Sequence, residues 1–282
     1  MLSRIFKNIS FIFQADRGLW EKIRLLLWYL YLTAKYLFIY RVLYPVRKIP
    51  IQHERLFNYK IRFFDYWRFY YLFEHVFIQN EYYFQAENSQ PRILDCGSNI
   101  GLSILYFKQL YPGAQVLGFE PDPATFEILQ KNIQENRLEK VELFNLALFR
   151  EEGEMDLFVG SEPGSLVMSI IPARQPGTKV KVKTVPLSRF LDQVADLVKI
   201  DIEGAELDVL KELEEKGKLK MINSLIIEYH HYIQPGISGL RQILSLLENA
   251  GFFYQIYSPE AFVFSGQEQF QDILIYARKK SH

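Results

Sequence analysis

From residue 92 onward, short apolar runs alternate with longer stretches in which apolar residues recur at helical spacing. The runs predict seven strands, near residues 92–96, 115–120, 140–147, 196–202, 223–231, 252–257 and 272–278. The helical spacing predicts four helices, near residues 101–111, 122–136, 205–216 and 239–250. Because strands and helices alternate, we expect an α/β fold with a doubly wound, mainly parallel seven-stranded sheet and helices on both faces.

One stretch breaks this alternation. Between Gly153 and Val185, three β-prone runs are joined by glycine and proline turns, and no helical spacing appears; the runs are Met155–Val159, Leu166–Ile171 and Val180–Val185. Short runs joined by such turns predict a β-hairpin insertion between the third and fourth strands of the core. We expect this insertion to lie beside the ligand cleft.

The N-terminal residues 1–72 differ from the rest and predict a helical, aromatic-rich extension, with the main α/β domain spanning 73–282. Its segment Leu19–Tyr44 is strongly apolar, but Lys35 and Arg41 interrupt the run of about 20 apolar residues that a membrane-spanning helix needs. Two interpretations remain. The segment packs on the α/β domain as a helical cap, or it lies in a membrane surface as a peripheral contact near a lipid-linked substrate.

A linker is predicted after this apolar segment. Pro45, Pro50 and the polar stretch Gln52–Asn58 are typical of an irregular connection between two structured parts.

Charge and cysteine content limit the possible partners and cellular compartments of the protein. The 282 residues carry 33 basic and 33 acidic side chains, so nothing indicates a nucleic-acid partner. The single cysteine, Cys96, cannot form an internal disulfide, which fits a reducing compartment. No convincing secretory signal is present at the N-terminus. We therefore predict a cytoplasmic protein, with peripheral membrane contact through residues 19–44 as the open alternative.

The first chemical motif is the segment 91–101, which reads PRILDCGSNIG. A buried strand ends at Asp95 and is followed by a loop that contains Gly97, Ser98, Asn99 and Gly101, after which a helix begins. Strand, glycine turn and helix form the geometry in which backbone N–H groups face a ligand at the carboxyl end of a parallel strand. An acidic residue at the strand end suits a ligand with a positive charge.

This glycine loop differs from two common nucleotide-binding motifs. The dinucleotide fingerprint would need glycine at 97, 99 and 102, where the chain has Gly97, Asn99 and Leu102. No Gly-Lys-Ser/Thr follows, so a P-loop is excluded as well.

A second acidic residue ends the next strand. Glu120 follows the run 115–119 and is placed to accept hydrogen bonds from both hydroxyls of a ribose. Pro121 and Asp122 continue the turn, and Asp122 is the predicted N-cap of the helix that follows. Ala147, where the third strand ends, completes the predicted ligand-binding residues.

Two further strand ends carry polar pairs. Asp201 and Glu203 follow one strand, and Glu228 and His230 end the next. Side chains alternate across a strand, so each pair projects to one side at the carboxyl end of the sheet. A structural role remains open for the first pair, either capping the next helix or pairing with a nearby lysine (Lys199 or Lys211).

Four strings in this order resemble the FkbM family of S-adenosylmethionine (SAM)-dependent methyltransferases: DCGSNIG, GFEPDP, VKIDIEGAE and LIIEYHH. The resemblance covers roughly Phe73–Phe264, and KIDIEGAE is its most specific string. It implies a Rossmann-like class I methyltransferase whose last strand is antiparallel, and SAM as the cofactor. It also implies O-methylation of a hydroxyl on a sugar, a glycolipid or a polyketide.

The resemblance leaves the chemistry at the strand ends open. SAM carries an activated methyl group, so the protein must supply approach geometry and a group that accepts the hydroxyl proton. Glu203, Glu228 and His230 are the candidate bases, and Asp201 is expected near the methionine or methyl end. No metal is part of this prediction.

Two alternatives are kept. The first is a metal-dependent O-methyltransferase that holds a divalent cation on Asp201, Glu203 and Glu228, since hard cations favour carboxylate oxygens. The second is a non-catalytic SAM-binding scaffold associated with a membrane. The acceptor is expected to be a small molecule, a glycan or a glycolipid.

Overall fold

The computed structural model describes residues 2–43, 51–160, 178–233, 237–258 and 271–279. At its centre is a seven-stranded sheet with the strand order β11-β12-β10-β9-β3-β4-β5. The seven strands are β3 Arg92–Cys96, β4 Gln115–Phe119, β5 Val141–Phe144, β9 Ala195–Ile200, β10 Ile222–His231, β11 Phe252–Tyr257 and β12 Gln271–Lys279. The predicted doubly wound α/β fold is therefore confirmed.

The direction of the strands also agrees with the prediction. β3 pairs in parallel with both β4 and β9, and β9 pairs in parallel with β10. β12 runs antiparallel to its neighbours β10 and β11. The carboxyl ends of β3, β4, β9 and β10 therefore meet at one edge of the sheet, where an open α/β sheet binds its ligands.

Helices follow the strands as expected. They are α4 Leu102–Leu110, α5 Pro123–Glu135, α6 Glu206–Glu215 and α7 Leu240–Asn249, and short 3₁₀ turns occupy Leu187–Phe190 and Leu219–Met221. The N-cap prediction for Asp122 is confirmed, because its side chain accepts a hydrogen bond of 2.8 Å from the backbone N–H of Thr125. Proline at the first helical position adds to this start signal.

The third core strand is shorter than predicted. β5 ends at Phe144, and the next residues form a separate strand, β6 Ala147–Leu148, in a second sheet. Asn145 marks the break, since its side-chain amide donates to the carbonyl oxygens of Glu120 and Pro121 at 2.8 and 2.9 Å. These bonds direct the chain away from the core sheet.

The hairpin insertion is present. β7 Gly153–Val159 pairs antiparallel with β8 Thr178–Val185, and β6 pairs in parallel with β8. The middle β-prone run, Leu166–Ile171, lies outside the described residues.

The N-terminal extension contains helices and one small hairpin. Its elements are α1 Leu2–Gln14, α2 Leu19–Phe38, β1 His53–Leu56, β2 Tyr59–Arg62 and α3 Tyr66–Phe73; π turns occupy Ile39–Leu43 and Glu74–Ile78. The predicted linker over Gln52–Asn58 is wrong, because β1 lies within it and pairs with β2. The hairpin forms because its alternating side chains bury Leu56 and Ile61 completely. Pro45 and Pro50 lie outside the described residues.

Extension and sheet share one hydrophobic core. Tyr29 and Leu32 of α2 belong to the same buried cluster as Phe73, Ile93 of β3 and Leu105 of α4. The division between residues 1–72 and 73–282 stays a prediction, and this cluster crosses it. No helix in the described part of the chain is long and apolar enough to cross a membrane.

Candidate active site

A cavity of about 400 Å³ lies at the carboxyl ends of the central strands. Its walls contain ten of the thirteen residues predicted from the sequence: Gly97, Ser98, Asn99, Glu120, Pro121, Ala147, Asp201, Glu203, Glu228 and His230. The other three, Asp95, Gly101 and Asp122, are not among its lining residues. A volume of this size is typical of small-molecule and cofactor sites.

The glycine loop turns tightly beneath this cavity. Gly97, Asn99 and Gly101 all have positive φ angles, of 84°, 48° and 91°. A Cβ atom at Gly97 would lie 1.8 Å from the backbone oxygen of Asp201. Glycine is therefore required here because the end of the neighbouring strand lies so close, even without a ligand. Asn99 tolerates its left-handed conformation because its side-chain oxygen accepts from the Ile100 N–H at 2.7 Å.

Glu120 joins this loop to the second strand end. Its carboxylate accepts hydrogen bonds from the N–H groups of Asn99 at 3.0 Å and of Asp122 at 2.9 Å. Burial raises the pKa of Glu120 to about 8, and the nearby Asp122 charge adds to this increase. A carboxylate has about four acceptor positions, so both oxygens can also accept bonds from a ligand in the cavity.

Asp95 lies beneath the loop and has a cationic partner within the protein. It is fully buried, it accepts a 2.5 Å hydrogen bond from Ser103, and its Oδ1 is 3.3 Å from Nζ of Lys199. The positive charge expected opposite Asp95 is thus the chain's own lysine.

Lys199 was not predicted as a site residue. Its Nζ lies 3.3 Å from carboxylate oxygens of both Asp95 and Asp201, and it donates to the Gly97 carbonyl at 2.7 Å. Burial alone lowers the pKa of Lys199, but the charges of these two carboxylates outweigh burial and raise it above its usual value. The sequence signal was a lysine inside an otherwise apolar strand, and pairing of Asp201 with Lys199 was one of the structural roles left open for Asp201 and Glu203.

Tyr82 covers this charged group from the side of the extension. Its hydroxyl donates to Asp201 at 3.3 Å, and Lys199 Nζ lies 4.9 Å from the centre of its ring. Burial and the Asp201 charge raise the pKa of Tyr82 well above its usual value, so the hydroxyl stays a donor. Asp201 therefore contacts two groups of the protein at the edge of the cavity.

His230 is held between carboxylates. Its Nδ1 lies 2.9 Å from Glu206, its Nε2 lies 3.2 Å from Glu203, and the side chain is almost completely buried. Glu206 also accepts from the Gly204 N–H at 2.9 Å, which fixes the turn after β9. Sequence reasoning did not assign Glu206, whose partner lies 24 residues away.

Glu228 lies in the same wall. In the described structure its carboxyl group has no contact with a ring nitrogen like those of Glu203 and Glu206. Burial raises the pKa of Glu228 well above its usual value, and the charge of Asp201 raises it further while His230 acts in the opposite sense. A carboxyl group of this kind favours its neutral form until a positive charge enters the cavity.

Two groups of side chains in the described structure have the spacing of metal ligands. One contains Asp201, Glu203 and His230, and the other contains Glu228, His230 and Asp272; ligand atoms within each group lie within 4.8 Å of one another. The predicted set placed Glu228 with Asp201 and Glu203, whereas the structure groups those two with His230. Both groups share the histidine whose ring nitrogens already contact carboxylates.

The charge of the cavity fits SAM. Six carboxyl groups line it, those of Glu81, Glu120, Asp201, Glu203, Glu228 and Asp272, whereas Lys199 is the one lysine among its described lining residues. SAM carries a positive sulfonium beside a ribose, so an acidic cavity with Glu120 on one side offers partners for both.

The segment 67–82, which crosses the predicted boundary between extension and main domain, supplies a second wall that was not predicted. Trp67, Tyr71, His75, Glu81 and Tyr82 line the cavity opposite the strand ends. The sequence does contain one indication of this wall. Trp67, Tyr71 and His75 are spaced four residues apart, which places them on one face of a helix.

The α/β fold with this acidic cavity at its carboxyl edge belongs to a chain that matches a methyltransferase family. The match to the methyltransferase FkbM domain spans residues 95–254, and the chain belongs to the FkbM methyltransferase family. SAM is its cofactor. The resemblance found in the sequence is thereby confirmed.

Three curated relatives are similar to this chain. Methyltransferase 1 of Beauveria bassiana is 30% identical over 190 residues, covering 60% of this chain and 74% of the relative. Methyltransferase sdnD of Sordaria araneosa is 31% identical over 216 residues, covering 64% and 81%. The 2-O-methyltransferase NoeI of Sinorhizobium fredii is 30% identical over 183 residues, covering 57% and 72%.

We predict that replacing Lys199 by methionine destabilises the protein strongly. The change leaves Asp95 and Asp201 as uncompensated charges, and breaking a buried ion pair typically costs about 3–5 kcal/mol. Urea denaturation at neutral pH measures the free energy of unfolding.

Lys131→Met, at an exposed ion pair with Glu127, is the control and should have little effect. Addition of Asp95→Asn to Lys199→Met should recover part of the loss, and stability equal to wild type in Lys199→Met would contradict the assignment.

Proposed function

We propose that the protein transfers a methyl group from SAM to a hydroxyl oxygen on a sugar, a glycolipid or a secondary metabolite. One observation carries this proposal: a carboxylate bonded to the glycine loop, Glu120, and the polar ends of β9 and β10 line the same cavity. The relative that is named a 2-O-methyltransferase supports oxygen as the acceptor atom.

In this proposal the donor occupies the side of β3 and β4. Ser98, Asn99, Pro121 and Ala147 contact it, and Glu120 accepts bonds from its ribose hydroxyls. The three residues outside the cavity wall act indirectly: Asp95 holds Lys199, Gly101 permits the turn before α4, and Asp122 caps α5. The donor supplies an activated methyl group, so the chain's part is to orient both reactants and manage charge.

The ends of β9 and β10 act on the sulfonium side. Asp201 and Glu228 supply negative charge there, since a positive ligand favours the ionised form of Glu228 and is favoured by it. Glu203 and His230 hold each other at 3.2 Å and shape the wall between the two reactants. All four are proposed catalytic residues through charge and position, and a change in any of them should lower turnover more than SAM affinity.

A metal-dependent O-methyltransferase is the second candidate. The spacing of Asp201, Glu203 and His230 favours it, because carboxylate oxygens with one imidazole suit several divalent ions. The bonds of His230 to Glu203 and Glu206 argue for the metal-free mechanism.

We predict that Glu120 contributes to SAM affinity and makes it dependent on pH. Glu120→Ala should weaken binding by roughly 1–3 kcal/mol, the loss expected for charged hydrogen bonds. The wild-type affinity should rise as pH increases through about 8, where Glu120 ionises, and this dependence should be weaker in Glu120→Gln. Titration calorimetry measures both, with the exposed Glu127→Ala as control. Equal affinity in wild type and Glu120→Ala would remove Glu120 from the site.

We also predict that isotopically labelled methyl from SAM is transferred to a hydroxyl acceptor. The assay presents SAM to sets of oligosaccharides, glycolipids and small alcohols, with and without a chelator. Transfer that survives chelation supports the metal-free reaction, whereas loss that magnesium or manganese restores supports the metal-dependent one. SAM binding without transfer to any acceptor would favour a non-catalytic scaffold, and absence of SAM binding would contradict the whole proposal.

The acceptor side is proposed to approach a membrane surface. Trp20, Leu27, Tyr31 and Phe38 of α2 recur every four or seven residues and therefore form one stripe. They are exposed by 83%, 62%, 50% and 53% of their surface. An apolar, aromatic stripe on a surface helix suits the boundary between lipid headgroups and acyl chains.

We predict that the purified protein co-sediments with anionic vesicles through this stripe. Trp20→Glu combined with Leu27→Glu should abolish sedimentation while leaving the fold intact, because both side chains point away from the core. Ile237→Glu, at another exposed apolar position, is the matched control. The proposal would be contradicted if the double variant sedimented as wild type does, or if the wild-type protein did not sediment with vesicles. In either case α2 would serve only in packing.

A further inference from the structure

The cavity wall formed by residues 67–82 precedes the matched methyltransferase domain, which begins at residue 95. Trp67, Tyr71 and His75 follow one another at intervals of four residues along α3 and its π turn, and all three line the cavity. The Trp67 and Tyr71 ring centres are 5.8 Å apart, and those of Tyr71 and His75 are 4.1 Å apart. The wall is therefore a row of rings that ends in an imidazole.

The imidazole of His75 is paired with a buried carboxylate. Its Nδ1 lies 2.9 and 3.1 Å from the two oxygens of Glu81, which is only 5% exposed. A carboxylate at Nδ1 favours the tautomer with the proton on that nitrogen, which leaves Nε2 with a lone pair. Since His75 lines the cavity and retains 20% of its side-chain surface, this arrangement resembles the base and its orienting acid in many hydrolases.

The segment that carries this pair is held at both ends by side chains of other elements. Glu74, next to His75, is bonded by Arg4 and by Asn8 at 2.6 Å. Asn80, next to Glu81, is bonded by Arg17 and by Tyr106. These contacts hold a π turn, a rare conformation that is frequent at functional sites.

Among the described residues of the opposite wall, no imidazole has a carboxylate at one ring nitrogen only. Both ring nitrogens of His230 contact carboxylates, and Asp201 contacts Lys199 and Tyr82. Burial raises the pKa of Glu228, and a positive donor beside it favours the ionised form, which then acts as a counter-charge. The strand ends thus serve the donor.

We propose that His75 is the general base of the methyl transfer and that Glu81 is its positioning residue. This inference rests on the proposed function. The acceptor lies against Trp67 and Tyr71 with its hydroxyl toward Nε2 of His75. Its oxygen forms a bond to the methyl carbon while the carbon–sulfur bond breaks, and the bonding electron pair passes to sulfur. The hydroxyl proton moves to Nε2, and the resulting imidazolium is stabilised by Glu81 until the proton leaves to solvent.

The kinetic test uses the acceptor that the wild-type protein methylates in the labelling assay. His75→Ala should lower kcat by about 10²–10⁴-fold, the usual contribution of a positioned base, while the dissociation constant of SAM stays within about twofold. Added imidazole should restore part of the activity. Glu81→Gln should cause a smaller loss in kcat, and His53→Ala, at an exposed histidine in β1, should behave as wild type. Equal kcat in His75→Ala and wild type would overturn the proposal.

A second measurement needs no acceptor and separates this inference from the proposed function. Nitrogen NMR of histidine-labelled protein at pH 8 should report His75 as the neutral tautomer with its proton on Nδ1, and Glu81→Gln should shift the tautomer populations. A dominant Nε2–H tautomer or a persistent imidazolium would overturn the role of His75 even where SAM binds and methyl transfer occurs. Failure of SAM to bind would contradict the proposed function. The NMR measurement would still show whether Glu81 holds His75 in the Nδ1–H tautomer.

Discussion

The ion pairs of Lys199 connect the parts of this protein that must stay in register for a ligand to bind. One buried ammonium lies between Asp95 at the end of β3 and Asp201 after β9, and it also bonds the carbonyl of Gly97. Each carboxylate alone would be costly to bury, and so would the lysine. Together they fix the distance between two strand ends, and the glycine loop and the cavity depend on that distance.

The sequence predicted the features that depend on local patterns. Apolar runs and helical spacing gave the seven strands, the antiparallel last strand followed from the family resemblance, and the cap at Asp122 followed from its position before a proline. The strand ends could be named because parallel strands bring their carboxyl ends to one edge. Ten of the thirteen named residues accordingly line one cavity.

What escaped prediction depends on contacts that the linear pattern does not show. Lys199 pairs with Asp95 across 104 positions of sequence, and a charged residue in an apolar strand gives no indication of its partner. The predicted linker contains β1 of the β1–β2 hairpin. Most residues of this segment are polar, so the two apolar residues that the hairpin buries, Leu56 and Ile61, did not indicate strands. His75 and Glu81 are close in sequence, but only the folded extension shows that they face the cavity.

The hydrophobic cluster shared by extension and sheet has a consequence for the order in which the chain folds. Tyr29 and Leu32 are synthesised before Ile93 and Leu105 of the same cluster, which follow more than sixty positions later. Until then α2 exposes apolar side chains on both faces, and contacts of such sequence separation slow folding. The burial of one face of α2 therefore depends on residues that are synthesised after it.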